Sequence, residues 1–266
     1  MDNRPIGVFD SGVGGLTTVR RMHEIMPGEN IIYFGDTGRV PYGTRSPETI
    51  LRYTRQDVAF LRTFDIKAIV VACNTVSAVA LETVASEIGV PMIGVVWPAC
   101  RRAVSVTKTG RIGVIGTATT IKSGIYERLL HRANPDLKVY AQACPLFVAL
   151  AENGRVRRGD IVIETIAAEY LAPLKAQGID TLIMGCTHYP LLREVISAYM
   201  GSHVHLVDSG AEAADHARQL LVPAAEGRGQ TQYFVSDDPE AFRELAELFL
   251  NSKISGQVGH VDIAKY

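Results

Sequence analysis

One pattern in this chain is written twice, and it constrains the fold more than any other feature. Ile69-Val70-Val71-Ala72-Cys73-Asn74-Thr75 and Leu182-Ile183-Met184-Gly185-Cys186-Thr187-His188 are each an apolar run of strand length ending in a thiol. The residues after each cysteine have helical spacing: Val76, Val79, Ala80, Val84 and Ile88 after the first, Leu191, Val195, Ile196 and Tyr199 after the second. Each cysteine therefore belongs on a strand-to-helix turn, where backbone N–H groups and the helix dipole favour a thiolate.

The rest of the chain alternates strand and helix around these two turns. Pro5 to Phe9 reads as a strand, and Asp10-Ser11-Gly12-Val13-Gly14-Gly15 leads into a helix through Leu16, Val19, Met22 and Met26. Asn30 to Gly35 is a second strand ending at Asp36, followed by the turn-rich loop from Thr37 to Gly43. Ser46-Pro47 then caps a long helix. After Cys73 and its helix, Val90 to Val96 gives a fourth strand. Beyond Trp97-Pro98 the pattern restarts: Arg111 to Thr117 aligns with Pro5 to Ser11 at an offset of 106, and Cys186 lies 113 positions beyond Cys73. The near-equal offsets indicate a degenerate duplication. In this half Lys138 to Ala143 is the second strand, Pro145 to Asn153 a loop or short helix carrying Glu152, Asp160 to Gln177 a helix, and His203 to Val207 the last strand.

The tail opens no third unit. A helix starts at Asp208-Ser209-Gly210, the stretch Pro223 to Gly229 is loop, and strand Gln232 to Val235 precedes helix Pro239 to Leu250. The expectation is two similar parallel-sheet α/β domains, doubly wound and flavodoxin-like, related by pseudo-symmetry with the active site between them. Residues 1–97 plus 208–266 form the first, discontinuous domain and 98–207 the second.

Composition excludes several classes. The 27 basic and 28 acidic residues leave a net charge of -1 with no Lys/Arg stripe, so no nucleic-acid partner is expected. No apolar run approaches the ~20 residues that span a bilayer, and Met1 to Pro5 carries no signal-peptide pattern, which predicts a cytoplasmic protein with no membrane partner. The four cysteines contain no Cys-x-x-Cys pair and read as free thiols. No His/Cys cluster has metal-ligand spacing, so no metal is expected. Cys100, Cys144, His131, His203 and His205 read as structural.

In a sheet of order 2-1-3-4, ligands sit where strands 1 and 3 diverge at their carboxyl ends. Asp10 and Cys73 flank that point in the first half, and Thr117 and Cys186 in the second. If the two crevices face each other, two thiols approach one small ligand from opposite sides. Inverting a stereocentre without a cofactor needs this: one group removes a proton from one face and another delivers a proton to the other. A thiol of ordinary pKa ~8.5 serves as either, and the pH profile should be bell-shaped. Asp10 could orient an amino group or take part in proton handling near Cys73, His188 could do so near Cys186, and Glu152 is a further candidate. Asn74, Thr75, Thr117, Thr120 and Thr187 are donors on helix-start turns, suited to carboxylate oxygens.

Asp10 to Gly15 also invites a dinucleotide reading, with Asp36 as the ribose-binding acid. Thr17 stands in the third glycine position, however, and Asp10 would aim a carboxylate at the pyrophosphate.

Asp10-Ser11-Gly12-Val13-Gly14-Gly15-Leu16, Val71-Ala72-Cys73-Asn74-Thr75 and Gly185-Cys186-Thr187-His188-Tyr189-Pro190-Leu191, taken together, closely resemble the bacterial glutamate racemases, over essentially the whole chain. The resemblance implies cofactor-independent interconversion of L- and D-glutamate, supplying D-glutamate for peptidoglycan. It makes Cys73 the thiol acting on D-glutamate and Cys186 the thiol acting on L-glutamate, with Asp10, Glu152 and His188 assisting. Ser11, Pro41, Tyr42, Gly43, Asn74, Thr75, Thr117, Thr120 and Thr187 resemble the substrate-binding set. A homodimer is the family's expectation. Some members respond to a cell-wall precursor through an N-terminal extension; here the first strand begins at about residue 5, so that control is not expected. The competing readings are a racemase for aspartate or another small acid, a two-lobed amino-acid-binding protein without catalysis, and an acyl-transfer enzyme using Cys73 alone.

Overall fold

The computed structural model describes residues 1–225, 227–254 and 256–266; Glu226, inside the stretch read as a loop, lies outside them. The first half runs β1 (Ile6–Asp10), α1 (Leu16–Ile25), β2 (Ile31–Gly35), α2 (Pro47–Leu61), β3 (Ala68–Val71), α3 (Asn74–Val79), α4 (Leu81–Glu87), β4 (Met92–Gly94) and α5 (Val96–Val106). The second runs β5 (Arg111–Gly116), α6 (Ala118–Lys122), α7 (Ile125–Ala133), β6 (Lys138–Ala143), α8 (Leu146–Glu152), α9 (Ile161–Ala176), β7 (Thr181–Gly185), α10 (Arg193–Met200) and β8 (His205–Asp208). The tail adds α11 (Ser209–Leu220), β9 (Thr231–Val235), α12 (Pro239–Leu250) and β10 (Val258–His260).

Two parallel sheets result, ordered β10-β9-β2-β1-β3-β4 and β6-β5-β7-β8. Both contain the 2-1-3-4 order expected of a duplicated doubly wound unit, and the tail extends the first sheet by pairing β9 beside β2. β1, β2, β3 and β7 are buried along their whole length, as strands covered by helices on both faces must be. Each fully buried Ile, Val or Leu in them contributes about 1.5–3 kcal/mol of burial. α1 and α12 cover one face of the first sheet. In the second sheet α8, α9 and α10 cover one face and α5 and α7 the other.

Two local readings shift, and one strand goes unread. Trp97-Pro98 does not break the chain but lies in the first turn of α5, where a proline needs no N–H partner. The helix after Cys73 is two pieces meeting at Ala80. β10, with only three residues, carries no periodicity from which to predict it.

Candidate active site

The carboxyl ends of β1, β3, β5 and β7 meet at a cavity of about 270 Å³ between the sheets, and both Cys73 and Cys186 line it. Each thiol is nearly enclosed, at 5% and 6% exposure. Ser11, Tyr42, Gly43 and Thr75 line the first-sheet side, and Thr117, Glu152, Thr187 and His188 the second. Pro145, Val148 and Ala149 of the α8 region add an apolar wall that the sequence motifs do not mark.

The two thiols have different surroundings. Cys73 caps the start of α3, which has only six residues, and its thiol points to Ser11 Oγ at 3.7 Å. Burial, reinforced by the nearby Asp10 carboxyl, pushes its pKa up to about 12 against the pull of the Val76 and Ser11 N–H groups. The expected help from a helix dipole is overridden, and Cys73 is a thiol at neutral pH. Cys186 precedes a 3-10 turn, Tyr189–Leu192, and α10 starts only at Arg193. Its neighbour is an imidazole instead: Sγ lies 3.8 Å from His188 Nδ1.

His188 continues the chain of contacts to Glu152, with Nε2 2.8 Å from Oε1. Burial opposes its charged form, but the bonds and charges of Cys186 and Glu152 outweigh burial and raise its pKa to about 10. His188 is therefore imidazolium at neutral pH. The ring of Phe249, on α12 of the tail, stands edge-on to it at 5.1 Å between centroids.

Two of the expected residues stand behind the wall rather than on it. Asp10, 1% exposed, turns Oδ2 back to the Gly12 N–H at 3.1 Å; burial raises its pKa while the charge of His188 pulls the other way. Thr120 lies one turn into α6, where its hydroxyl meets those of Thr75 at 3.2 Å and Thr117 at 3.0 Å. Thr75 and Thr117 are themselves 3.0 Å apart across the two sheets. Gly43 belongs to the same seam: a Cβ there would sit 2.7 Å from Thr117 Cβ. Thr119 Oγ1 donates to the Gly43 carbonyl at 2.8 Å. Asn74 is on the wall, yet both hydrogens of its amide are engaged, by Tyr126 Oη at 2.8 Å and Ser209 Oγ at 2.9 Å.

Residues 6–217 match a sequence model of the Asp/Glu/Hydantoin racemase family. The chain belongs to that family. It is 47% identical over 266 residues to the glutamate racemase of Geobacter metallireducens, covering 98% of this chain and 97% of the relative. Among solved structures it superposes on the Bacillus anthracis glutamate racemase isoform RacE1 with a TM-score of 0.93 at 39% identity, covering 98% of each chain. It superposes on the Francisella tularensis glutamate racemase in complex with D-glutamate with a TM-score of 0.92 at 38% identity, covering 100% of both.

Under the cavity of this amino-acid racemase lies a charged network that none of the three sequence motifs contains. Tyr42 donates its hydroxyl to Asp36 and lies 3.1 Å from Asp57 Oδ2. Arg39 bridges the same carboxylates, at 2.6 Å to Asp36 and 2.9 Å to Asp57. Both acids are fully buried. Burial, and then the charge of Asp36, raise the pKa of Asp57 well above the carboxylate range. The sequence does hold a signal for Asp57: it stands in the apolar stripe Ile50, Thr54, Val58 and Leu61 of α2, a place where an acid needs a buried partner.

Proposed function

We propose that this protein is a glutamate racemase that interconverts L- and D-glutamate without a cofactor, using Cys73 and Cys186 as its two acid–base groups. One observation supports this reading most directly: two thiols from matching strand ends line a single small cavity. Their surroundings fit the two states that a proton relay across a stereocentre needs. Cys73 holds its proton at neutral pH, and Cys186 stands beside the His188 ring, its Sγ 3.8 Å from Nδ1.

From L-glutamate, the Cys186 thiolate takes the α-proton while the Cys73 thiol delivers a proton to the opposite face. The product is D-glutamate, with the thiol and thiolate exchanged. The reverse reaction starts from the Cys73 thiolate so formed, with the Asp10 carboxyl close enough for its charge to act on that sulfur. His188 and Glu152 balance the charge at Cys186. The hydroxyls of Ser11, Thr75, Thr117 and Thr187, with Asn74 and the Pro41-Tyr42-Gly43 backbone, hold the amino and carboxylate groups; Thr120 steadies the threonines. D-glutamate so made would supply peptidoglycan synthesis in the cytoplasm, and the enzyme would act as a homodimer. Residues 1–97 plus 208–266 and residues 98–207 would be its two lobes.

Circular dichroism of L-glutamate and L-aspartate solutions tests this. The signal of L-glutamate should decay to zero, and deuterium from solvent should enter at its α-carbon. Decay with aspartate alone would replace glutamate as substrate, and binding without deuterium uptake would replace catalysis.

A further inference from the structure

We propose that Tyr126 and Ser209 are positioning residues that act on the reaction through Asn74, an inference resting on the racemase reading above. Three buried side chains meet here from three separate elements: Asn74 at the start of α3, Tyr126 in the first turn of α7, and Ser209 opening α11. They are 3%, 3% and 1% exposed. Asn74 is the residue after Cys73 and lines the cavity, whereas Tyr126 and Ser209 do not reach it.

An amide has two hydrogens, and here both have an acceptor. Asn74 Nδ2 donates to Tyr126 Oη at 2.8 Å and to Ser209 Oγ at 2.9 Å. The side chain is thereby fixed in rotation, with its carbonyl oxygen also held 3.4 Å from the Ser209 hydroxyl, and the turn that carries Cys73 is fixed with it. Ser209 Oγ in turn donates to the Met184 carbonyl at 2.9 Å. Met184 lies on β7, two residues before Cys186. The network therefore ties the turn of the first thiol to the strand of the second. It sits where the chain leaves the second sheet at Asp208 to return to the first. An apolar neighbour at either place would leave a buried Asn74 N–H without an acceptor, and the amide would rotate to recover one.

Tyr126→Phe removes one oxygen and keeps the ring. It should lower kcat/KM about fivefold in both directions, the loss of one neutral hydrogen bond, with a lowered unfolding midpoint from the Asn74 N–H left without its acceptor but a fully folded protein at the assay temperature. Ser209→Ala should do the same and provides the second reading if Tyr126→Phe folds poorly. The deciding measurement is non-additivity: in an Asn74→Ala background neither change should reduce kcat/KM further, since the group they position is gone. A merely structural role would leave their effects undiminished in that background. That outcome, or parental kcat/KM in both single variants of an active enzyme, overturns the inference while leaving the racemase reading intact. A parent protein inert towards both enantiomers overturns the racemase reading and this inference with it.

Discussion

His188 sets the charge on one side of the cavity, and its titration is open to measurement. Its pKa is raised to about 10, so the imidazolium persists through neutrality and is lost as the pH climbs through that value. Turnover of L-glutamate, which starts from Cys186, should hold across neutral pH and fall above about 10. In Glu152→Gln, with the carboxylate charge removed, the fall should move to lower pH; a high-pH limb that stays put would take Glu152 out of this role. At the thiols the expectation is blunter. Cys73→Ala and Cys186→Ala should each reduce racemisation by about 1,000-fold, the scale of a lost proton-transfer group, with unchanged far-ultraviolet dichroism. Full activity in either would remove that residue from the chemistry. Cys73, Cys186 and His188 are legible in the sequence because each lies in a contiguous motif, whereas Glu152 lies in none and takes its meaning from His188, 36 positions away. Tyr126 and Ser209 are not, since their meaning is a contact made 52 and 135 positions away from Asn74.

At the scale of elements, strand and helix periodicity carries most of the topology. Pro239–Leu250 and Lys138–Ala143 keep the predicted bounds because each is flanked by strong turn or cap chemistry. The loop between β2 and α2 is less readable: its shape depends on the Asp36, Arg39, Tyr42 and Asp57 network, which no local pattern displays. That network should hold Tyr42 and Gly43 against the cavity. Replacing Arg39 with Met leaves two buried carboxylates without their guanidinium, and should destabilise the fold by about 3 kcal/mol. Tyr42→Phe, which removes one shared hydroxyl, should cost about 1–2 kcal/mol. Urea unfolding at neutral pH orders the two, and an Arg39→Met variant as stable as the parent would show that the carboxylates find protons or other partners.

For the whole molecule, what matters is how closely the two sheets approach, and Gly14 stands at that seam. It precedes α1, and a Cβ built on it would lie 2.2 Å from Thr187 Oγ1 and 2.6 Å from His188 Nδ1, on the far side of the cavity. Thr17, one turn on, shares its hydroxyl hydrogen between the Gly14 carbonyl at 3.0 Å and the Thr187 carbonyl at 3.1 Å, so a slide of the backbone would disturb the contact between the halves. The glycine run that resembles a dinucleotide loop thus serves close approach between halves. Gly14→Ala keeps each sheet and its helices, because the methyl meets atoms across the seam. It should push Thr187 and His188 away from the first-sheet side and widen the gap across which a proton must pass from either thiol. Since misplacement by about 1 Å can reduce a rate by about 100-fold, racemisation should fall by about that factor, and the overpacked seam should lower stability by about 1–3 kcal/mol. Equal activity in Gly14→Ala would mean that the halves accommodate the methyl by moving, and that their spacing in this structure does not set the rate.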